Sequence, residues 1–243
     1  MPASAPASHE FVPETGFGRW FLNTQTWTTH VLRVAIQDLK QLLPNPAARF
    51  PVVLDAGCGH GRSLSLLAAA FQPDVLIGLD AEALVLHNAR ARAGEAGAGD
   101  AGAARLVLGD CTRLPLRDAS IDLLFCHQTL HHLVDQDRAL AEFFRVLRPG
   151  GVLLVAESTK AYIHSWIIRL LFRHPMDVQR TADEYLGMIR AHGFAVRPDA
   201  VSYPYLWWSR ADLALAERAL RIAPKPPEMR EETLINVVAV KPG

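Results

Sequence analysis

The sequence predicts an α/β fold in which a mainly parallel sheet has helices on both faces. Two observations support this fold class: short apolar runs alternate with helix-like segments, and a glycine-rich turn follows the first run. Runs that are apolar throughout are typical of parallel strands buried on both faces, and their alternation with helices is typical of α/β architecture. With 243 residues, the chain is long enough for one large domain.

Five apolar runs in the first two thirds of the chain predict strands. These strands cover residues 51–55, 75–80, 105–108, 121–126 and 152–157. Apolar residues at helical spacing predict helices before and between them. These helices cover residues 27–43, 64–71, 82–93 and 133–147, and the glycine- and alanine-rich residues 94–103 predict a flexible connector.

The last third of the chain alternates less regularly. Helices are predicted at residues 161–173, 181–191 and 211–221, and short strands at 194–196 and 233–240, which we expect to pair. We therefore expect an N-terminal tail and helical lid over residues 1–45. The remaining residues, 46–243, would form one domain with a helical insertion at about 158–180.

Composition limits the classes of partner. Half of the residues are hydrophobic, 21% are charged, and the formal net charge is zero, so the chain as a whole has no electrostatic attraction for nucleic acid. The first ten residues lack the basic and apolar segments of a secretory signal, and no apolar stretch approaches the roughly 18 residues of a membrane span. We expect a cytoplasmic protein that does not bind nucleic acid.

The three cysteines, Cys58, Cys111 and Cys126, predict neither a disulfide framework nor a metal site. They are odd in number and far apart in sequence, whereas zinc sites normally contain a closely spaced pair. We expect free thiols in a reducing compartment and no bound metal.

The glycine turn after the first predicted strand carries the strongest functional signal. Asp55, Gly57, Gly59 and Gly61 give the pattern D-x-G-x-G-x-G. Glycine permits positive φ and lets a ligand approach the backbone, and ligands of open α/β sheets bind beyond the carboxyl ends of strands. The dinucleotide pattern G-x-G-x-x-G fails because Arg62 stands at its last position. The alternative is a turn that serves packing alone.

Asp80 ends the next predicted strand. A carboxylate at this place accepts hydrogen bonds from ribose hydroxyls in dinucleotide-binding folds. It can equally cap the following helix, and the sequence alone leaves both roles open.

The glycine turn resembles motif I of class I S-adenosylmethionine (SAM) dependent methyltransferases. Three further segments resemble the same family: Gly109-Asp110-Cys111, the strand around Asp122, and residues 145–151, RVLRPGG. The match spans residues 51–157 and is similar to the small-molecule branch that includes ubiquinone and menaquinone methyltransferases. The resemblance implies a Rossmann-like seven-stranded sheet of order 3-2-1-4-5-7-6 and SAM as the cofactor.

The resemblance also implies a set of cofactor-binding residues. Asp55 would hold the amino end of SAM, Asp80 the ribose and Asp110 the adenine amine, while His127 and Gln128 would line the methionine part. The full set is Asp55, Gly57, Cys58, Gly59, Gly61, Asp80, Ala81, Asp110, Cys111, His127 and Gln128.

Two histidines after the fourth predicted strand are candidate catalytic residues. His132 matches a position that is a functional histidine in phosphoethanolamine methyltransferases, and His131 precedes it. An imidazole titrates near neutrality and can deprotonate an acceptor. The alternative is a histidine pair that serves packing and helix entry.

Aromatic residues outside the central match suggest where an acceptor binds. Trp20 and Trp27 lie where the family places a lid, or else they form an aromatic staple that holds the first helix. His164 and Trp166 lie in the apolar segment 162–173. That segment is either buried, or the roof of an acceptor pocket, or a peripheral membrane contact with arginines at the headgroups. Together with aromatic residues at 203–208, it favours a hydrophobic or aromatic acceptor.

The sequence therefore predicts a methyltransferase that transfers a methyl group from SAM to an oxygen or carbon of a small hydrophobic molecule. An N-methyltransferase of a small amine is the alternative enzyme. A SAM-binding protein without methyl transfer is the alternative of another class, and the failed dinucleotide pattern disfavours a dehydrogenase.

Overall fold

The protein is described by a computed structural model over residue 12 and residues 15–95, 104–204, 215–221 and 232–243. Its sheet contains seven strands in the order β3-β2-β1-β4-β5-β7-β6. The strands are β1 Val52–Ala56, β2 Val75–Asp80, β3 Arg105–Leu108, β4 Ile121–His127, β5 Leu147–Ser158, β6 Val201–Ser202 and β7 Leu234–Val240. β1 to β5 are mutually parallel, and β7 runs antiparallel to both of its neighbours. The predicted fold class and strand order are confirmed.

Helices cover both faces of this sheet. They are α1 Gly16–Leu22, α2 Gln25–Trp27, α3 Arg33–Leu42, α4 Leu64–Phe71, α5 Ala83–Glu95, α6 Gln136–Val146, α7 Lys160–Ile163, α8 Trp166–Leu171, α9 Ala182–Ala191 and α10 Leu215–Leu220. One face is packed by apolar residues of α3, α4 and α5, and the other by α6 and α9. Among the described residues, no helix has the length and apolarity needed to cross a membrane.

The strand order places a switch point beside β1. β1 pairs with β2 on one side and with β4 on the other, and all three strands run in the same direction. The chain therefore leaves the sheet in opposite directions after β1 and β4, which opens a crevice beyond their carboxyl ends. The glycine turn, Asp80 and the segment after His127 all lie at that edge.

Some predicted elements differ from the structure. The helix predicted at 161–173 is divided into α7 and α8, because Ser165 adopts an extended conformation (φ −62°, ψ 146°) that begins a new helix. The helix predicted from residue 133 starts only at Gln136, because Asp135 caps it through the Arg138 N–H. The N-terminal helix predicted at 27–43 contains a π-helical turn, Thr28–Leu32.

The C-terminal hairpin is present, but its first strand is displaced. Ala195 forms a single bridge with Val240, and the paired strand is β6, five residues beyond the predicted segment 194–196. Only part of the helix predicted at 211–221 is described, as α10. The connector at 96–103 and the aromatic residues Tyr205, Trp207 and Trp208 lie outside the described residues.

Candidate active site

The glycine turn is built by three residues with positive φ. Gly57, Gly59 and Gly61 have φ of 82°, 52° and 73°. A Cβ on Gly57 would lie 2.6 Å from Cγ2 of Thr129, so the turn requires glycine there. Gly59 has no atom within 4 Å of a Cβ position, whereas a Cβ on Gly61 would contact Ala89 of α5. Gly57 and Gly59 therefore shape the crevice, and Gly61 serves the packing of the turn against α5.

Asp80 organises the floor of the crevice. Its Oδ2 accepts the N–H of Gly59 at 2.9 Å, and its Oδ1 accepts the N–H of Glu82 at 2.9 Å. Burial raises the pKa of Asp80, and these backbone hydrogen bonds oppose the rise. The carboxylate thus connects the glycine turn to the start of α5, which includes the helix-entry role that the sequence left open.

Asp55 is a nearly fully buried carboxylate, 1% exposed. Its Oδ2 accepts the hydroxyl of Ser63. Burial raises the pKa of Asp55 to about 7, although the Ser63 hydrogen bond opposes the rise. A buried carboxylate of this kind is stabilised in its charged form by a cation, and the ammonium group of SAM is such a cation.

A cleft of about 1170 Å³, including its open mouth, lies above these groups. Ten of the eleven predicted cofactor-binding residues line it: Asp55, Gly57, Cys58, Gly59, Asp80, Ala81, Asp110, Cys111, His127 and Gln128. Oδ1 of Asp110 accepts the N–H and the hydroxyl of Thr112 at 2.8 and 2.9 Å. Burial raises the pKa of the Cys58 and Cys111 thiols, which keeps them uncharged.

Two arginines at the cleft were not singled out by the sequence. Arg19 of α1 and Arg62 line it. Arg62 donates from Nε to Oδ1 of Asn23 at 2.9 Å and from a terminal nitrogen to the Thr28 hydroxyl at 3.0 Å. The residue that broke the dinucleotide pattern therefore fixes the N-terminal helices beside the glycine turn. No pattern in the sequence pairs Arg62 with Asn23.

The residues present fit SAM. The buried carboxylate of Asp55 suits an ammonium group, Asp80 suits hydroxyls, and the backbone at Gly59 leaves space for a ligand. Glycines at the carboxyl edge of the sheet permit the close approach that such a ligand needs.

The histidines after β4 occupy different environments. His132 lines the cleft, but His131 does not. His131 is buried, with its Nδ1 2.6 Å from Oε2 of Glu157. Burial and, to a smaller extent, the neighbouring His131 lower the pKa of His127 to about 3. Burial also lowers the pKa of His132 well below its usual value.

A second, smaller cavity of about 570 Å³, including the space open to solvent, adjoins the cleft. Trp27, His127 and Gln128 line both spaces. Its other walls are mostly apolar, and the lining includes Val31, Val34, Ala35, Tyr162, Pro204 and Leu234. Gln128 at the junction has φ of 52° and accepts the Ser158 hydroxyl at 2.5 Å. A non-glycine residue in this conformation carries strain that is typical of functional sites.

The four predicted substrate-binding residues are not brought together. Trp27 lies at the junction, with its ring centre 5.7 Å from that of His127. Trp20 and Trp166 are 63% and 77% exposed, His164 is exposed as well, and none of these three lines either cavity. For Trp166 the reason is that α8 turns one face to solvent: Trp166 and Leu170 are exposed, whereas Ile168 is buried.

Comparisons with known proteins agree with this geometry. Residues 54–155 match the methyltransferase domain family. A malonyl-[acyl-carrier protein] O-methyltransferase from Methylococcus capsulatus is 40% identical over 173 residues, which are 68% of this chain and 58% of that protein. A fatty-acid O-methyltransferase from Mycolicibacterium smegmatis is 35% identical over 131 residues, 52% of this chain and 46% of that protein. The chain thus spans about half the length of these relatives.

A solved structure shows the same fold over nearly the whole chain. The SAM-dependent methyltransferase from Aquifex aeolicus superposes with a TM-score of 0.62, covering 92% of this chain and 97% of that one, at 15% identity. Residues 54–155 thus match the methyltransferase domain family, the strand order and the crevice agree with the fold of that solved SAM-dependent methyltransferase, and S-adenosylmethionine is the cofactor that these matches indicate.

Proposed function

We propose that the protein is a SAM-dependent O-methyltransferase whose acceptor is a small molecule with an apolar body. The observation that carries the proposal is the junction of the two cavities at Trp27, His127 and Gln128. A cofactor in the cleft and an acceptor in the apolar cavity would meet there. Methyl transfer is an in-line displacement, so holding the two reactants on either side of one junction supplies much of the acceleration.

The cofactor supplies an electrophilic methyl group on a positively charged sulfur. In this proposal Asp55 binds the ammonium group, Asp80 the ribose hydroxyls and Asp110 the adenine amine. The apolar walls around Val34 and Ala35 exclude water from the acceptor. Gln128, held by Ser158, orients the acceptor at the junction.

The protonation of the histidines bears on the kind of acceptor. Burial leaves His127 and His132 with low pKa values, and a group with a low pKa is a weak general base at neutral pH. An acceptor that is already ionised, such as a carboxylate, needs no base. The two relatives named for O-methylation act, by their names, on a malonyl group and a fatty acid, and we infer a carboxylate with an apolar chain as the acceptor class here.

Four finer predictions stay predictions. A base role for His132 would be supported by a loss of turnover of about 10²- to 10⁴-fold in His132→Ala, and a smaller loss would favour the ionised acceptor. His131, bonded to Glu157 outside the cleft, is a weaker candidate. The identity of the acceptor would test the resemblance to the ubiquinone and menaquinone branch. It would also test the alternative that the enzyme methylates the nitrogen of a small amine.

The experiment is a methyl-transfer assay with radiolabelled SAM and a matched acceptor panel. Medium- and long-chain fatty acids, a malonyl thioester, a catechol and a primary amine would be compared, with the methyl esters of the same acids as blocked controls. We expect transfer to the free acids and none to the esters. Transfer to the amine or catechol alone would overturn the carboxylate assignment, and no transfer to any acceptor despite SAM binding would favour a non-catalytic SAM-binding protein.

A further inference from the structure

We propose that His131, His132 and His174 form a binding site for a divalent transition metal ion of the Zn²⁺ type. The three imidazoles come from two separate parts of the chain, namely the 3₁₀ turn Leu130–His132 after β4 and the segment between α8 and the 3₁₀ turn Met176–Val178. The site is independent of the proposed acceptor, and the family resemblance in the sequence did not predict it.

The rings are close enough to share one ion. One nitrogen from each histidine can be chosen so that all three lie within 4.8 Å of one another. The ring centres are 4.3 Å apart for His131 and His132, 5.0 Å for His131 and His174, and 4.8 Å for His132 and His174. Zn–N bonds of about 2.0–2.1 Å place two ligand nitrogens about 3.4 Å apart. The most distant nitrogens would therefore approach by at most about 1.4 Å on binding.

Glu157 prepares His131 for this role. Its Oε2 lies 2.6 Å from Nδ1 of His131, and the carboxylate is held by the N–H groups of Thr129 and Leu130, each at 2.8 Å from Oε1. A hydrogen bond from Nδ1 to a carboxylate leaves Nε2 as the nitrogen with a free lone pair. Metal-binding histidines almost always donate their other ring nitrogen to such a partner.

The other two histidines have features that suit a ligand. Nδ1 of His132 is buried and has no hydrogen-bond partner within the described part of the chain. Buried polar atoms without a partner are rare and call for an explanation, and a bound ion would provide one. His174 lies outside any helix or strand, so its ring can move toward the other two without disturbing a regular element.

The chemistry of the ligands selects the metal. Three imidazoles favour zinc, copper, nickel or iron over magnesium and calcium, which prefer oxygen. Three protein ligands also leave one tetrahedral position for water or another ligand. Because Phe172 contacts the rings of Phe17 and Phe21, an ion at His174 would fix both α8 and α1 to the turn that follows β4.

The experiment is metal binding by tag-free protein that has been treated with a chelator. Titration with Co²⁺, followed by its visible absorption, reports coordination number directly, and competition with Zn²⁺ reports affinity. We expect one Co²⁺ per chain with the strong absorption of a four-coordinate site, displaced by Zn²⁺, and a higher Tm with Zn²⁺. His174→Ala should lose this spectrum and the rise in Tm.

The control is His87→Ala, since His87 is an exposed histidine of α5. It should bind like the wild type. Circular dichroism of metal-free His174→Ala would establish that the variant is folded, which is expected because the loop lies outside the core. A spectrum typical of six-coordinate Co²⁺ in the wild type, or equal binding by His174→Ala and wild type, would overturn the proposal. None of these readouts depends on methyl transfer, so the failure of the metal-site proposal would leave the proposed function standing.

Discussion

Nδ1 of His131 lies 2.6 Å from Oε2 of Glu157, and the two side chains are only 4% and 0% exposed. The other oxygen of Glu157 accepts the backbone N–H groups of Thr129 and Leu130. One carboxylate at the end of β5 therefore satisfies three donors of the turn that follows β4. This turn carries His132 into the cleft, so Glu157 connects the core of the sheet to the site.

Replacing Glu157 tests this structural role. A buried donor left without an acceptor costs about 1–3 kcal/mol, and Glu157→Ala would leave Nδ1 of His131 and two backbone N–H groups in that state. We expect Glu157→Ala to lower the free energy of unfolding by at least that amount, and Glu157→Gln, which keeps one carbonyl oxygen, to lower it less. Urea denaturation measures both. The control is Glu95→Ala, at an exposed residue of α5, which should change the free energy of unfolding by less than about 0.5 kcal/mol. If Glu157→Ala had an effect as small as this, the structural role of Glu157 would be contradicted.

The buried carboxylate of Asp55 predicts a pH dependence of stability. Burial raises its pKa from 3.8 to about 7, so between those values the folded state holds a proton that the unfolded chain has released. The free energy of unfolding therefore falls as the pH rises through this window. The contribution of this one group is at most about 4 kcal/mol. Below about pH 4 the penalty is absent, and above about pH 7 it is complete.

Asp55→Asn isolates this contribution. The amide cannot ionise, so we expect the variant without SAM to lose less stability than the wild type between about pH 4 and pH 7. Urea denaturation at a series of pH values measures the difference. Asp74→Asn, at an exposed carboxylate beside Arg49, should follow the wild type. Parallel curves for wild type and Asp55→Asn would show that the buried carboxyl does not titrate in this range.

Gly57 and Gly59 predict different effects of the same substitution. A Cβ at Gly57 would overlap the Thr129 side chain, whereas Gly59 has open space around its Cα. Gly57→Ala should therefore lower the Tm strongly, since it combines a clash with positive φ. Gly59→Ala should cost only the strain of its backbone, about 1–2 kcal/mol, yet reduce SAM affinity because the new methyl group faces the cleft. Thermal melts and calorimetric SAM titration separate the two effects, and equal losses of Tm would contradict the assignment.

Much of the fold was accessible from the sequence because its signals are local. The apolar runs of β1, β2 and β4 and the glycines that follow β1 are contiguous in the chain, and they fixed strand positions to within two residues. The displaced strand β6 was missed because its two residues pair only through tertiary contact with β7. The break between α7 and α8 was missed because Ser165 interrupts an apolar run that otherwise favours a helix.

The same contrast between local sequence signals and tertiary contacts applies to the candidate site. Asp55 and Asp80 stand at strand ends, as the sequence patterns predicted, and both line the cleft. Glu157 stands at a strand end as well, but its partner His131 follows a different strand, and nothing in the sequence pairs them. Trp166 was predicted at the acceptor because it is aromatic in an apolar segment, yet its helix turns it to solvent. The pairing of Glu157 with His131 depends on a contact between distant segments of the chain.

Filling the second cavity separates acceptor binding from cofactor binding. Val34 of α3 lines that cavity but not the cleft, so Val34→Trp should occupy acceptor space while leaving the SAM site intact. We expect the KM for the acceptor to rise about tenfold or more, with the affinity for SAM within about twofold of the wild type. Steady-state kinetics and calorimetry measure the two quantities. Arg33→Trp, at the exposed neighbouring residue of the same helix, should change neither. A fall in SAM affinity in Val34→Trp with an unchanged acceptor KM would place the acceptor elsewhere.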